Sequence, residues 1–211
     1  VRAIDVSLYV IVDRAIEDDI PIDEFAAQVI EGGATCIQLR CKNDPTRTIM
    51  ELGRRVLGAT RPAGVPLIVN DRADVALAIE AEGVHLGQDD MPVSAARRIC
   101  GDEMIVGVTV RNAEAAKAAC DAGADYLGVG PAFATPVKPG LVPIPRGVIT
   151  EIRRGISLPI VAIGGINDMN AAIPLREGAD GVAVISALRQ CESPREAASR
   201  LRSAIDNAKK R

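Results

Sequence analysis

One phrase, written four times along the chain, limits its possible folds more than any other feature. A helix-like run meets a glycine junction, and a brief apolar run follows at once. The phrase reads Glu31-Gly32-Gly33-Ala34-Thr35-Cys36-Ile37-Gln38-Leu39 and then Glu82-Gly83-Val84-His85-Leu86-Gly87. It returns as Ala122-Gly123-Ala124-Asp125-Tyr126-Leu127-Gly128-Val129-Gly130 and as Glu177-Gly178-Ala179-Asp180-Gly181-Val182-Ala183-Val184-Ile185. A proline variant appears in Gly64-Val65-Pro66-Leu67-Ile68-Val69 and in Ser157-Leu158-Pro159-Ile160-Val161-Ala162. Glycine suits a helix end because the chain there turns left-handed, a conformation that costs glycine little. Gly33, Gly83, Gly123 and Gly178 are expected to act in this way.

The apolar runs are short, rich in β-branched residues and not alternating, as parallel strands covered on both faces should be. Strands are expected over 8–13, 36–40, 66–70, 83–87, 105–109, 126–130, 159–164 and 181–186. Amphipathic runs lie between them, near 23–32, 45–60, 72–80, 93–99, 112–121, 145–154, 167–176 and 193–208. Strands that alternate with helices make βαβ units. Eight such units in 211 residues favour one α/β domain over 1–211, a (β/α)8 TIM barrel. An open doubly wound sheet, with about five to seven strands, is the alternative.

Composition narrows the partners. Aromatic residues make up only 2% of the chain, against 19 glycines and 13 prolines. That scarcity suggests an aliphatic barrel interior and argues against modules that stack bases on aromatic rings. A net charge of −3 offers no general attraction to nucleic acid or to an anionic membrane. Cys36, Cys41, Cys100, Cys120 and Cys191 form no C-x-x-C pair, and His85 is the one histidine, so reduced thiols are expected rather than a zinc site. No stretch nears the ~20 apolar residues of a membrane span. The first residues, Val1-Arg2-Ala3-Ile4-Asp5, do not resemble a secretory signal, so a cytoplasmic location is expected. Association between copies stays open.

In a barrel of this kind the strand C-termini and the loops after them form the active site. Here those ends are polar. Arg40 and Lys42 follow the second strand, and Lys138 lies in the long loop after the sixth; three cations at one mouth suit a multiply charged anion such as a phosphate ester. Asp71 and Asp90 follow the third and fourth strands. Capping of the next helix would account for one acid at each place. Two carboxylates opposite a phosphate pocket suggest Mg²⁺, with a general acid–base pair as the alternative. Gly164-Gly165 and Ile185-Ser186 end the last two strands, where backbone N–H groups often receive a phosphate. The loop 130–140, with Phe133 and Thr135, reads as a lid. His85, inside an apolar run, reads as a satisfied core residue sooner than a catalyst.

Taken together, Gln38-Leu39-Arg40-Cys41-Lys42, Val69-Asn70-Asp71-Arg72, Gly83-Val84-His85-Leu86-Gly87-Gln88-Asp89-Asp90, Gly128-Val129-Gly130-Pro131, Ala162-Ile163-Gly164-Gly165-Ile166 and Val184-Ile185-Ser186-Ala187 resemble the thiamine-phosphate synthase family. The resemblance runs from about Leu8 to the last helix. It implies a transferase that joins 4-amino-2-methyl-5-hydroxymethylpyrimidine diphosphate to 4-methyl-5-(2-phosphoethyl)thiazole. It further implies that Asp71 and Asp90 hold Mg²⁺, and that Arg40, Lys42, Asn70, Thr109 and Lys138 bind the diphosphate. Gln38 would orient the pyrimidine. Gly165, Ile185 and Ser186 would receive the thiazole phosphate, with Thr135 at the lid.

Three departures stand out. Thr109 replaces a serine common in the family. Val110-Arg111 stands where the sister family of thiazole tautomerases relies on histidine, which argues against that isomerase. Val137 replaces a second threonine before Lys138. The altered loop is what supports a catalytically silent paralogue that binds thiamine metabolites.

Overall fold

The structure is a computed structural model that describes residues 4–135, 140–189 and 191–210. Eight parallel strands pair in chain order, and the first closes onto the last. They are β1 (Leu8–Asp13), β2 (Cys36–Arg40), β3 (Leu67–Asn70), β4 (Gly83–Leu86), β5 (Ile105–Val110), β6 (Tyr126–Val129), β7 (Ile160–Ile163) and β8 (Gly181–Val184). Around them lie α1 (Ile22–Glu31), α2 (Thr46–Thr60), α3 (Ala73–Ala78), α4 (Val93–Cys100), α5 (Ala113–Asp121), α6 (Val148–Gly155), α7 (Ala172–Arg176), α8 (Ser186–Arg189) and α9 (Pro194–Lys209). This is the (β/α)8 barrel. Among the described residues no helix is long and apolar enough to cross a membrane.

Strand alternation separates two apolar layers. Leu8, Val10 and Val12 of β1 face the helices and join the large outer core. Tyr9 and Ile11 face the lumen, with Cys36, Ile68, Ile105, Tyr126, Val161 and Ala183. Both faces are buried, which is why the runs read as continuous rather than alternating. The lumen is not purely aliphatic, however. Both tyrosines of the chain are enclosed in it, because Gly107 leaves room: an added Cβ there would stand 2.0 Å from the Tyr126 ring.

The recurring phrase builds the floor of the barrel. At each junction a side chain just before an even-numbered strand accepts the N–H of a residue at the start of the strand before it. Leu8 donates to Thr35 Oγ1 (3.1 Å), Leu67 to Glu82 Oε2 (2.8 Å), Val106 to Asp125 Oδ2 (2.9 Å) and Ile160 to Asp180 Oδ2 (2.7 Å). Buried backbone donors need such partners, since an unpaired one costs about as much as a lost hydrogen bond. The last two junctions carry an arginine clamp as well. Arg97 of α4 binds Asp125 and the Gly123 carbonyl, and Arg153 of α6 binds Asp180 and the Gly178 carbonyl.

Gly33, Gly123 and Gly178 do turn left-handed after their helices. Gly83 does not. It opens β4, and an added Cβ would lie 2.5 Å from the Ile105 carbonyl oxygen; Glu80 makes the left-handed turn instead. A 3₁₀ turn over Arg14–Asp18, capped by Asp13, intervenes before α1. The expected helix over 167–176 shortens to α7. Asn167 accepts the Met169 N–H and Asn170 accepts the Asn167 N–H, and these local turns compete with the helix. Ile185 and Ser186 lie beyond β8, where Ser186 opens the short α8.

Candidate active site

The C-terminal strand ends surround an open cleft of ≈ 1110 Å³, its mouth included. Gln38, Arg40, Lys42, Asn70, Asp71, Asp90, Thr109, Thr135, Gly165, Ile185 and Ser186 all line it. Lys138 and Val137 lie outside the described residues. One half of the cleft is built from side chains on β2, β3 and β4 and the loops after them. The other half is formed by the segments after β6, β7 and β8, where Gly130, Gly164 and Gly165 stand among apolar residues, Thr135 and Ser186.

Arg40 ends β2 and pairs with Asp13, the last residue of β1, which stands beside it in register. Asp13 also caps the following turn, so one carboxylate fixes both the turn and the guanidinium. The residues had flagged Arg40 but not Asp13, although its position at a strand C-terminus was the available signal. Lys42 reaches across to Asp71. Asp71 has a backbone φ of 65°, in the left-handed region that non-glycine residues rarely occupy. Its N–H donates to the His85 carbonyl (2.8 Å), which holds that turn in place. Burial, and then the neighbouring Asp90 carboxyl, raise the Asp71 carboxyl above its ordinary value, against the pull of Lys42.

Asp90 folds back to accept the Gly87 N–H at 2.7 Å, and an added Cβ at Gly87 would strike it. Neither acid caps a helix, because Arg72 and Pro92 occupy the capping positions of α3 and α4. The carboxylates are thereby left facing the cleft. The buried Asn70 Nδ2 has no hydrogen-bond partner among the described residues, which makes it a donor in want of an acceptor.

Across the cleft, Gly164 and Gly165 have φ values of 99° and 64°. A Cβ on Gly165 would lie 2.4 Å from the Ala134 carbonyl oxygen, and one on Gly164 would lie 2.5 Å from Pro131. The pair is thus demanded by the neighbouring 130–135 segment as well as by any ligand. Phe133 is half-buried against the outer core and does not line the cleft.

His85 is buried and bonded on both ring nitrogens, Nδ1 to the Tyr126 hydroxyl and Nε2 to Thr109 Oγ1, each at 2.9 Å. Its partners are those of a positioned core residue. Cys41 is buried beside the cations, and burial pushes its thiol up to about 12. Among the described residues no three His, Cys, Asp or Glu side chains gather as a metal cage. Asp71 and Asp90 are two neighbouring carboxylates at the cleft.

A closed (β/α)8 barrel that gathers charged side chains and glycines around one cleft at its strand C-termini defines the class: a barrel with the form of an enzyme whose site lies at that end. Comparison with known proteins agrees and is more specific. The sequence pattern of the thiamine monophosphate synthases matches residues 8–188. The thiamine-phosphate synthase of Roseiflexus sp. (strain RS-1) is 49% identical over 203 residues, 95% of this chain and 86% of that protein. That of Chloroflexus aurantiacus is 48% identical over 203 residues, covering 96% and 94%. The solved thiamine phosphate pyrophosphorylase from Pyrococcus furiosus superposes with a TM-score of 0.88 at 41% identity, covering 97% of each chain. The chain belongs to the thiamine monophosphate synthase family and is a transferase of thiamine biosynthesis.

Proposed function

We propose that the enzyme joins 4-amino-2-methyl-5-hydroxymethylpyrimidine diphosphate to 4-methyl-5-(2-phosphoethyl)thiazole and releases thiamine phosphate and pyrophosphate. One observation carries this reading: a single cleft has two walls that suit anions, one of charged side chains and one of backbone. Two phosphorylated substrates need two such places.

In this reading the bond from the pyrimidine methylene carbon to the diphosphate oxygen breaks, and its electron pair leaves with the diphosphate. The 4-amino group spreads the positive charge left on the ring and methylene. The thiazole nitrogen then forms the new C–N bond with its lone pair. That nitrogen carries no proton, so no general base is needed, and the only histidine is free to serve the lumen. What the protein must supply is stabilisation of the departing anion. Arg40 and Lys42 supply it from β2 and its loop, and Lys138 joins them by family resemblance. Asn70 Nδ2 and the Thr109 hydroxyl add donors, and Gln38 orients the pyrimidine. Gly165, Ile185, Ser186 and Thr135 receive the thiazole phosphate.

The donor set fits Mg²⁺. Asp71 and Asp90 would hold it, as two adjacent carboxylates whose mutual repulsion asks for a cation. When bound, it supplies positive charge to diphosphate oxygens. Purified protein given both substrates and Mg²⁺ should release pyrophosphate and thiamine phosphate in equal amounts. Conversion of the thiazole alone, without consumption of the pyrimidine, would instead mark an isomerase.

A further inference from the structure

Five side chains under the cleft form one continuous hydrogen-bonded chain. Gln38 Nε2 donates to the Tyr9 hydroxyl at 2.8 Å. The Tyr9 and Tyr126 hydroxyls share a bond of 2.8 Å. Tyr126 meets His85 Nδ1, and His85 Nε2 meets Thr109 Oγ1, each at 2.9 Å. Gln38, Tyr9, Tyr126 and His85 are all at most 8% exposed. Polar groups buried this deeply are costly unless each finds a partner. The strands make space for them: Gly107 admits the Tyr126 ring, and Gly128 leaves the His85 ring 3.0 Å from where a Cβ would stand. Neither tyrosine lines the cleft, yet the two ends of the chain, Gln38 and Thr109, both do, and the His85 residue next to Thr109 borders it as well.

We propose that Tyr9, Tyr126 and His85 are positioning residues that set the hydrogen-bond polarity of the two groups facing the pyrimidine substrate, holding Gln38 as an acceptor and Thr109 as a donor. The inference rests on the reaction proposed above. One of the two Gln38 Nε2–H groups is held by Tyr9, which fixes the orientation of the amide and leaves Oε1 to accept in the cleft. Run in the same direction, Tyr9 donates to Tyr126, Tyr126 donates to His85 Nδ1, and His85 Nε2–H donates to Thr109. The Thr109 hydroxyl proton then points to a ligand oxygen. Burial holds both phenols well above their ordinary value, so they keep the protons that this relay uses. A 4-amino group offers Gln38 Oε1 an N–H, whereas a 4-oxo group would set one acceptor against another. To accept the oxo compound, Gln38 must turn over, and the relay resists because every later member would have to reverse with it.

Two measurements test this. The first is the ratio of kcat/KM for the 4-amino over the 4-oxo pyrimidine diphosphate, in wild type and in Tyr9→Phe and Tyr126→Phe. A site built around a polar substrate group discriminates strongly, and freeing Gln38 should lower the ratio about tenfold or more in each variant. A purely structural loss would reduce both rates and leave the ratio alone. Tyr9→Phe keeps the test open if Tyr126→Phe does not fold. The second measurement is the 15N spectrum of the wild type, whose one histidine gives a single set of ring signals. It should show a protonated Nε2 and a bare Nδ1. An unchanged ratio in both variants, or an Nδ1–H tautomer in the wild type, would overturn the relay. A wild type that turns over neither compound would overturn the proposed reaction instead, and the tautomer, which needs no substrate, would still decide the relay.

Discussion

At the floor of the barrel, Thr35, Glu82, Asp125 and Asp180 each bond to the start of a neighbouring strand, and two arginines close over the acids. At the mouth the same kinds of residue are left unfinished. Asn70 keeps a buried amide nitrogen without a partner among the described residues, and Asp71 holds a left-handed backbone beside a second carboxyl. The floor spends its polar groups on folding, where a satisfied hydrogen bond contributes about 1 kcal/mol. The mouth pairs its charges with one another, Arg40 with Asp13 and Lys42 with Asp71, within the cleft lining or beside it, and Asp71 carries local strain there. Stability and function are thus written at opposite ends of the same strands, as expected for this fold.

The sharpest way to test this division is to remove an acid from each end. Asp90→Ala at the mouth should lower kcat/KM by about 10²–10³-fold, the usual cost of removing a group that serves developing charge. Its thermal midpoint should stay close to that of the wild type. A stability loss as large as that of a floor variant would erase the distinction. Asp125→Ala at the floor should do the opposite. It leaves the Val106 N–H without its acceptor and takes from Arg97 its one carboxylate, the other guanidinium bonds going to the Gly101, Met104 and Gly123 carbonyls, which costs about 3 kcal/mol of unfolding free energy. Steady-state kinetics below the melting range should remain within about twofold of wild type, because the proposed site lies ~10 Å or more away along the strands (at ~3.3 Å per residue). Gly165→Ala blurs the two categories and should show the smallest total effect. Its φ of 64° and the 2.4 Å approach to the Ala134 carbonyl predict about 1–3 kcal/mol of strain. The kinetic loss should fall on KM for the thiazole phosphate and spare KM for the pyrimidine. A shift in the pyrimidine KM alone would place the two phosphate subsites the other way round.

Most of the floor was legible without coordinates. The junction phrase recurs because each copy solves the same local problem, a helix that must end and a strand that must begin within a few residues. Boundaries slipped where side chains competed with the backbone, as at Asn167 and Asn170 before α7. The cleft was also legible as a set, since strand C-termini can be picked out once strands are placed. What escaped was the partner of each group. Nothing near Arg40 announces Asp13, 27 residues earlier, and nothing near Tyr9 announces Tyr126, 117 residues later. The scarcity of aromatic residues suggested an aliphatic lumen, and the two tyrosines prove to be the centre of its network.

The amino-acid sequence by itself determined the alternation of strands and helices, the burial of both strand faces, the glycine turns at Gly33, Gly123 and Gly178, and the family. Each of these follows from periodicity, backbone preference or a short motif, all of which act within a few residues. Only the tertiary structure decided which charges pair, which amide is left wanting a partner, and that Gln38 and Thr109 are joined through two tyrosines and a histidine. The reason is closure. Until β1 docks against β8 and the lumen forms, those groups lie on separate strands in water, where no hydrogen bond between them would outweigh the entropy of bringing them together.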